Sequence, residues 1–535
     1  MTRATSRPNS FVELTAQLIG LICVMLMWEQ AATAQEAILT RGPYLQMRSA
    51  TGIVIRWRTD VPTESLVRCG LQRTNLNLTY AHSGMTIEHE VSVTNLSPET
   101  KYFYAIETSV GEVGSIDERF VASGPDNFFV TAPLTGTDRP TRIWFVSDYG
   151  FANEGEVAVR DSYFKYTAAT RPADIWLTGG DNDQRTGTDV DEQESIFGVY
   201  ASLLRNVAIW PTLGNHDTYA YSMPGPYPFF DSFSLPMNGE AGGIPSGSEH
   251  YYSFDYGDVH FVCMDSITPE LSSSPDTPMF QWLREDLSQS SSKWKIAYWH
   301  GPPYTKGSHD SDNEFDTSAC MAQMRQNALP ILERHGVDLV LCGHSHVYER
   351  SSLLFGHYGY SWDFSETNRL DAGDGQVEGT GPYRKSAGHG TVYVVAAVGG
   401  YPFGFYYGQH PAHLINIGTE LGSCMIDVSS NRLDFKFINT ETNVLDHFTL
   451  IKEPSAPLRI VNVNRAHDKV RLSWNSSPEK CYRIYGQMEV GGEWIRIADQ
   501  VKSQGSYTEW LAPWPMHANM GYFKVATCAC SNDPP

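Results

Sequence analysis

The feature that most constrains this chain is a series of apolar runs between residues 140 and 345, each followed closely by side chains that can bind metal ions. The runs are near-continuous, as in parallel strands whose two faces are both covered. Helical spacing lies between several of them, near residues 156–170, 193–205, 279–287 and 321–334. This alternation predicts a layered α/β domain. The five junctions are Val146-Ser147-Asp148, Thr178-Gly179-Gly180-Asp181, Thr212-Leu213-Gly214-Asn215-His216, Trp299-His300 and Cys342-Gly343-His344-Ser345-His346.

These polar side chains are predicted to meet at one edge of the sheet. In open α/β sheets, ligand sites form beyond the carboxyl ends of the strands. Asp, Asn and His supply oxygen and nitrogen ligands, a mixture that suits hard to borderline cations. A lone Asp or His at a strand end is more often a cap or a surface residue, but five such junctions in order favour a metal site.

The order Asp-x-Gly, Gly-Asp, Gly-Asn-His-Asp, His and Gly-His-x-His resembles the calcineurin-like metallophosphoesterase superfamily. Residues 300–304 (HGPPY), residues 343–350 (GHSHVYER) and a fibronectin-like pattern at 96–104 narrow the resemblance to the purple acid phosphatase family. The resemblance covers roughly residues 40–450. It implies hydrolysis of phosphomonoesters by direct attack of a metal-activated hydroxide, without a covalent enzyme intermediate.

The same resemblance implies a role for each polar residue. Six metal ligands are expected around a shared carboxylate: Asp181 bridges the two ions, Asp148 and His346 complete the first site, and Asn215, His300 and His344 complete the second. His216 is expected to contact the phosphate and to protonate the leaving group. His309 lies where a second histidine would face the substrate, although it could equally be an exposed loop residue.

One position departs from the family pattern. Purple acid phosphatases carry a tyrosine three residues after the bridging aspartate, and Gln184 stands there in this chain. Without a phenolate, no tyrosinate-to-iron colour is expected, and the preference for ferric iron weakens. Gln184, Asp183 or water could complete the first site. The expected cofactor is two metal ions, iron with zinc, manganese or a second iron, and Gln184 leaves their identity open.

The first 35 residues predict a secretory signal peptide. Arg3 and Arg7 form a basic start, residues 18–28 are apolar, and Ala32-Thr33-Ala34 is a small-x-small cleavage site. The apolar run is too short for a comfortable membrane span. The protein is therefore expected to be secreted or periplasmic, with no membrane span.

Two further segments flank the α/β domain, which is expected over residues 138–450. Residues 37–132 alternate apolar and polar residues in short runs separated by turns, which predicts a fibronectin III-like β-sandwich. Residues 458–530 predict a second, small β-sandwich on the same grounds. Export would permit disulfides, and Cys481 is expected to pair with Cys528 or Cys530.

The charge balance limits the partners. With 39 basic and 61 acidic residues the net charge is −22, which disfavours nucleic acids and anionic membranes as main partners. The expected partner is a small-molecule phosphate ester; the sequence does not fix the oligomeric state. Two alternatives stay open: a phosphodiesterase with the same metal centre, and a catalytically weak surface-binding protein. The aromatic clusters at 219–230 and 401–407 are interpreted mostly as packing, with a substrate cleft as the alternative.

Overall fold

The computed structural model describes most of the chain. It covers residues 37–108, 119–219, 227–385, 389–453, 458–466, 469–476, 480–487, 492–504, 507–513 and 522–528. The predicted signal peptide lies outside this part. Within the described ranges, no helix is both long enough and apolar enough to cross a membrane.

The N-terminal segment forms antiparallel strands joined in one sheet. Its strands are β1 (Leu39–Gln46), β2 (Ile53–Gly70), β3 (Leu78–Val93), β4 (Lys101–Thr108) and β5 (Arg119–Val130). The order is β1-β2-β4-β5, and β3 also pairs with β2. Trp57, Tyr104 and Phe129 are buried in its core. The fibronectin III-like sandwich and the boundaries 37–132 stay a prediction.

The central domain contains sixteen strands and eight α-helices among the residues described. The strands are β6 (Thr141–Val146), β7 (Ile175–Thr178), β8 (Ile209–Trp210), β9 (Tyr252–Tyr256), β10 (Val259–Cys263), β11 (Trp294–Trp299), β12 (Leu339–Cys342), β13 (Tyr348–Ser351), β14 (Leu353–Leu354), β15 (Arg369–Asp371), β16 (Tyr383–Lys385), β17 (Val392–Ala396), β18 (His413–Ile417), β19 (Gly422–Ser429), β20 (Arg432–Asn439) and β21 (Val444–Lys452). The helices are α1 (Glu154–Ala169), α2 (Asp189–Glu192), α3 (Ala201–Leu204), α4 (Pro228–Ser232), α5 (Pro269–Ser272), α6 (Pro278–Gln289), α7 (Cys320–Asn327) and α8 (Leu329–Arg334).

Two seven-stranded sheets form this domain, in the orders β16-β21-β20-β19-β6-β7-β8 and β18-β13-β17-β12-β11-β10-β9. Strands β6, β7 and β8 are parallel, as are β10, β11, β12 and β17. Trp144 and Trp176 of the first sheet share one buried cluster with Phe261 and Leu341 of the second. The sheets therefore pack on a common core, which places the carboxyl ends of the site-bearing strands near one another.

The helical predictions are right in position and partly wrong in continuity. Helix α1 begins after Asn153, whose side chain accepts a hydrogen bond from the Glu156 amide. The stretch 193–205 is not one helix, because a π-helical turn (Gln193–Gly198) precedes the short helix α3. The stretch 321–334 divides into α7 and α8, since Pro330 has no N–H to continue the ladder of hydrogen bonds.

The C-terminal segment forms two three-stranded antiparallel sheets. Its strands are β22 (Ile460–Ala466), β23 (Lys469–Asn475), β24 (Cys481–Gln487), β25 (Ile495–Lys502), β26 (Tyr507–Pro513) and β27 (Tyr522–Cys528), in the orders β22-β23-β26 and β25-β24-β27. Trp474 and Ile484 belong to one hydrophobic cluster. Cys481 is disulfide-bonded and Cys528 is a free thiol, so the pair Cys481–Cys528 is wrong. Cys530 lies outside the described residues, and the boundaries 458–530 stay a prediction.

Charge contacts from two arginines of the N-terminal sheet join it to the central domain. The Arg41 guanidinium, fully buried, donates to the Asp189 carboxylate at 2.9 Å and to the Ser232 hydroxyl at 2.9 Å. Arg58 donates to the same carboxylate at 2.6 Å. This sheet therefore packs directly on the central domain.

A second buried charge pair joins the two central sheets beside the predicted metal site. Arg350 on β13 donates to both oxygens of Asp446 on β21, at 2.5 and 2.9 Å, and the Tyr348 hydroxyl donates to the same carboxylate at 2.6 Å. Arg350 and Asp446 are 0% and 2% exposed. Because β13 directly follows the segment His344–His346, this pair anchors that segment.

We expect Asp446→Asn to lower the free energy of unfolding by about 3–5 kcal/mol, because it leaves a buried guanidinium without its charge partner. Urea denaturation followed by tryptophan fluorescence measures the loss. Glu453→Gln is the matched control, since it breaks the exposed Arg384–Glu453 pair and should cost less than about 1 kcal/mol. Equal losses in both variants would contradict the anchoring role of Asp446.

Candidate metal centre

The structure brings all six predicted ligands together at the carboxyl ends of the central strands. Asp148 follows β6, Asp181 follows β7, Asn215 follows β8, His300 follows β11, and His344 and His346 follow β12. All are buried, with exposed fractions between 0% and 8%. At the centre, one atom each from Asp148, Asp181 and His300 lie within 4.8 Å of one another.

The backbone is strained where it delivers these side chains. Asp148, Asp181 and His344 have φ values of +54°, +50° and +69°. Non-glycine residues rarely adopt this left-handed conformation, and such residues concentrate at functional sites. Neighbouring glycines are needed for space: a Cβ at Gly214 would collide with the Asp181 carboxylate. The chain therefore turns sharply after each strand to direct its polar side chain inward.

Hydrogen bonds on the outer side of His300 determine which of its nitrogens faces the site. Its Nδ1 lies 2.8 Å from the Gly179 carbonyl and must donate a proton to it. In a neutral ring Nε2 is then a bare acceptor, and it faces the Asn215 Oδ1 at 3.0 Å and the Asp181 Oδ1 at 3.4 Å. The Asn215 amide nitrogen donates outward to the Tyr219 hydroxyl at 2.8 Å. Three acceptors thus converge, an arrangement that needs a proton or a cation between them.

His346 repeats this arrangement at the other end of the centre. Its Nδ1 donates to the Tyr401 carbonyl at 2.8 Å, and its Nε2 faces the Asp148 Oδ1 at 3.4 Å. The backbone N–H of His344 lies 3.0 and 3.1 Å from the two Asp148 oxygens and holds that carboxylate in place. Such outer hydrogen bonds orient metal-binding imidazoles and carboxylates. The residues present therefore fit a cation pair.

The pKa values reflect two carboxylates buried side by side. Burial raises the pKa of Asp148. For Asp181 burial acts in the same direction, but the nearby His300 outweighs it and lowers the pKa. Burial acts to lower the pKa of His300, yet the Asp181 and Asp148 carboxylates raise it to about 9. Without a metal ion, a proton held by His300 is what balances part of this negative charge.

The position of the missing family tyrosine is filled by an amide that faces both carboxylates. The Gln184 Nε2 lies 3.3 Å from the Asp148 Oδ1 and 3.1 Å from the Asp181 Oδ2. Asp183 is turned away, because its carboxylate accepts the backbone N–H groups of residues 185, 186 and 187 at 3.2, 3.1 and 2.5 Å. Gln184 therefore faces the first site and Asp183 does not. The expectation that Asp183 could complete this site is wrong.

Both candidate substrate histidines lie at the centre and are partly exposed. The backbone N–H of His216 donates to the Asp181 Oδ1 at 2.9 Å, and its ring Nε2 is 3.9 Å from the other oxygen. The His309 ring stacks on His344, with a distance of 3.9 Å between ring centroids. The side chains of His216 and His309 are 27% and 32% exposed, so a solute can reach them.

Sequence reasoning missed Asp316, which lies between His309 and His344. Its Oδ2 lies 2.9 Å from the His309 Nδ1, and its Oδ1 lies 3.8 Å from the His344 Nε2. Burial acts to raise the pKa of Asp316, but the two histidines outweigh it and hold the pKa far below its usual range. Asp316 is one of several aspartates in an acidic loop, and only the fold distinguishes it from the others.

Comparison with known proteins agrees with this geometry. Residues 141–348 match the family model for calcineurin-like phosphoesterases. Residues 141–348 of the central domain are thus similar to calcineurin-like phosphoesterases, and this stretch carries all six candidate ligands. The resemblance to purple acid phosphatases is also confirmed: this chain is 25% identical over 316 residues to purple acid phosphatase 15 of Arabidopsis thaliana, covering 54% of this chain and 53% of the relative. It is 24% identical over 337 residues to purple acid phosphatase 1 of Ipomoea batatas, covering 60% and 65%.

The match to these curated relatives thus spans between half and two thirds of their length. Among solved structures, the purple acid phosphatase PPD1 from yellow lupin (Lupinus luteus) seeds superimposes with a TM-score of 0.60 at 16% identity. That match covers 79% of this chain and 78% of the lupin chain, and it shows a common fold. The phosphoesterase domain is therefore set in a purple acid phosphatase-like architecture.

We expect divalent manganese or zinc to raise the melting temperature of the chelator-treated protein, because a ligand that binds only the folded state stabilises it. At about 100 times the dissociation constant the gain is about 2.7 kcal/mol. Asp181→Asn should lose most of the shift, whereas Asp276→Asn, an exposed aspartate of the same domain, should keep it. A full shift in Asp181→Asn would assign the stabilisation to another site.

Proposed function

We propose that this protein is an exported phosphatase with a binuclear metal centre that hydrolyses phosphomonoesters. The observation that carries the proposal is the convergence of ring nitrogens and carboxylates: Nε2 of His300 and of His346 face Asp181 and Asp148 at 3.4 Å each. Each ring is fixed by a backbone carbonyl on its outer side. The match to the phosphoesterase family and the purple acid phosphatase relatives supports the same reaction class.

The family resemblance supplies two ligand sets for this proposal. Asp148 and His346 would hold one cation, and Asn215, His300 and His344 the other, with the Asp181 carboxylate shared. When bound, such a pair polarises the phosphoryl oxygens and activates water for in-line displacement at phosphorus. The neutral Gln184 amide gives the first site one anionic donor fewer than a tyrosinate would. The expected metal pair is iron with zinc, manganese or a second iron; Gln184 weakens the preference for ferric iron and leaves the identity open.

His216 is placed to transfer a proton to the leaving group. Its backbone is tied to the shared Asp181, while about a quarter of its side chain is open to solvent. An imidazole held beside the reacting group can give a proton to the departing alkoxide oxygen. His309 lies across the His344 ring, where it can contact the phosphate. Asp316 fixes the His309 Nδ1 and leaves its Nε2 as the nitrogen available to substrate.

We expect the metal-loaded protein to hydrolyse phenyl phosphate in preference to diphenyl phosphate, and a chelator to abolish the turnover. Asn215→Ala should remove metal and activity together. His216→Ala should keep its metal and lose about 10²–10⁴-fold in kcat, the usual contribution of a general acid. Initial rates and the metal content of the purified protein measure these effects.

Asn238→Ala is the control, since Asn238 is exposed and distant in sequence from the ligands. Preference for the diester would identify the protein as a phosphodiesterase with the same centre. A metal-loaded protein that cleaves neither ester would refute the enzymatic proposal and favour a surface-binding function.

We further expect Asp316→Ala to reduce metal affinity and kcat/KM by about 10–100-fold, the usual effect of removing a carboxylate that orients a metal-binding histidine. Metal titration against a fluorescent chelator separates this loss from a general loss of folding. Asp276→Asn again serves as the control. An Asp316→Ala protein with unchanged metal affinity and activity would show that Asp316 only fills space between the two rings.

A further inference from the structure

Exposed aromatic side chains lie on segments that contact the candidate metal centre. Their exposed fractions are 57% for Tyr219, 52% for Tyr401, 43% for Phe403, 66% for Tyr406 and 55% for Tyr407. These five residues are therefore not core residues, whereas Tyr227 and Phe229 of the same clusters are buried. Core packing does not explain such half-exposed rings, and a group of them can mark a ligand-binding groove.

Two of these aromatic residues, Tyr401 and Phe403, are held in place by contacts with His346. The Phe403 N–H donates to the His346 carbonyl at 3.0 Å, and the Phe403 ring lies 4.3 Å from the His346 ring. The Tyr401 carbonyl accepts the hydrogen bond from the His346 Nδ1. The rings of Tyr401 and Phe403 are 5.3 Å apart, so they form one connected aromatic surface.

The segment that carries these rings also reaches the loop of His309. The Tyr406 and Tyr407 N–H groups donate to the Gly307 and Lys306 carbonyls at 2.9 and 3.2 Å. At the other end of the centre, the Tyr219 ring lies 4.3 Å from the ring of His216. Exposed aromatic residues thus lie beside His216 and beside the loop of His309, the two predicted substrate histidines.

The charges of two loops beside the site disfavour a leaving group that carries further phosphates. The loops 181–187 and 300–316 each contain a single Lys or Arg. Lys306 is paired with Asp310 at 2.5 Å and Asp312 at 2.9 Å. Arg185 is paired with Asp191 at 3.1 Å and Glu194 at 2.7 Å. Both cations are therefore paired with carboxylates, whereas several aromatic rings nearby are exposed.

We propose that Tyr401 and Phe403 form a binding surface for a planar aromatic leaving group, so that the preferred substrates are monoesters whose alcohol carries an aromatic ring. The proposal rests on the proposed phosphatase function. An aromatic ring stacked on these side chains would lie next to His346, whose ring contacts the Phe403 ring and whose Nδ1 donates to the Tyr401 carbonyl. Aromatic pairs gain stabilisation beyond that of buried area alone, which a saturated ring of similar size does not obtain.

Benzyl phosphate and cyclohexylmethyl phosphate test this directly, since both release a primary alcohol and differ mainly in the planarity of the ring. The metal-loaded protein is expected to favour benzyl phosphate by about fivefold to tenfold in kcat/KM, the size of an aromatic contact. In the double variant Tyr401→Leu with Phe403→Leu the ratio should fall close to one. Trp494→Leu, which removes an exposed ring in the C-terminal segment, should leave the ratio unchanged.

Inhibition of the native protein by benzylphosphonate and cyclohexylmethylphosphonate gives a second measurement that does not depend on the folding of any variant. Tighter inhibition by the aromatic compound, in the same proportion as the substrate ratio, would support the proposal. Equal rates and equal inhibition, or a ratio retained in the double variant, would overturn it and leave the phosphatase function intact. Hydrolysis of neither ester would instead refute the phosphatase function.

Discussion

The site depends on the burial of two like charges beside each other. Asp148 and Asp181 leave neighbouring parallel strands at the same edge of a sheet, where they are 0% and 1% exposed. Such a pair is stable only with compensating positive charge and hydrogen bonds. The imidazoles of His300 and His346, the Gln184 amide and the His344 N–H all point at these carboxylates. The strained backbone and the neighbouring glycines follow from the need to bring these groups so close.

Much of this arrangement could be predicted from sequence because its signals are local. An apolar run followed by Asp, Asn or His marks a strand end, and parallel strands place such ends together. His300 and Asn215 could thus be assigned to one site from their neighbours in the chain. The resemblance to a known family supplied the pairing of ligands with particular ions, which residue pattern alone does not contain.

What the sequence did not reveal depends on contacts between distant segments. Asp316 differs from Asp310 and Asp312 only because its loop folds back over His344. Tyr401 lies far along the chain from His346, and its exposed ring could not be distinguished from a packed one by composition. The helix expected at 193–205 was wrong because a π-helical turn and hydrophobic packing override a favourable periodicity. Periodic patterns of side chains reveal which face of a helix or strand is buried. Contacts between loops that are distant in the chain produce no periodic pattern, so they cannot be predicted in this way.

The contact between Tyr401 and His346 has a consequence for how related sequences can diverge. His346 is oriented by the main-chain carbonyl of residue 401, while the side chain of that residue projects toward solvent. A mutation at this position can change the surface offered to an incoming molecule without changing the group that holds the imidazole. The main chain and the side chain of residue 401 therefore have separate roles in the proposed site. A lineage can explore new substrates here with little risk to the reaction itself.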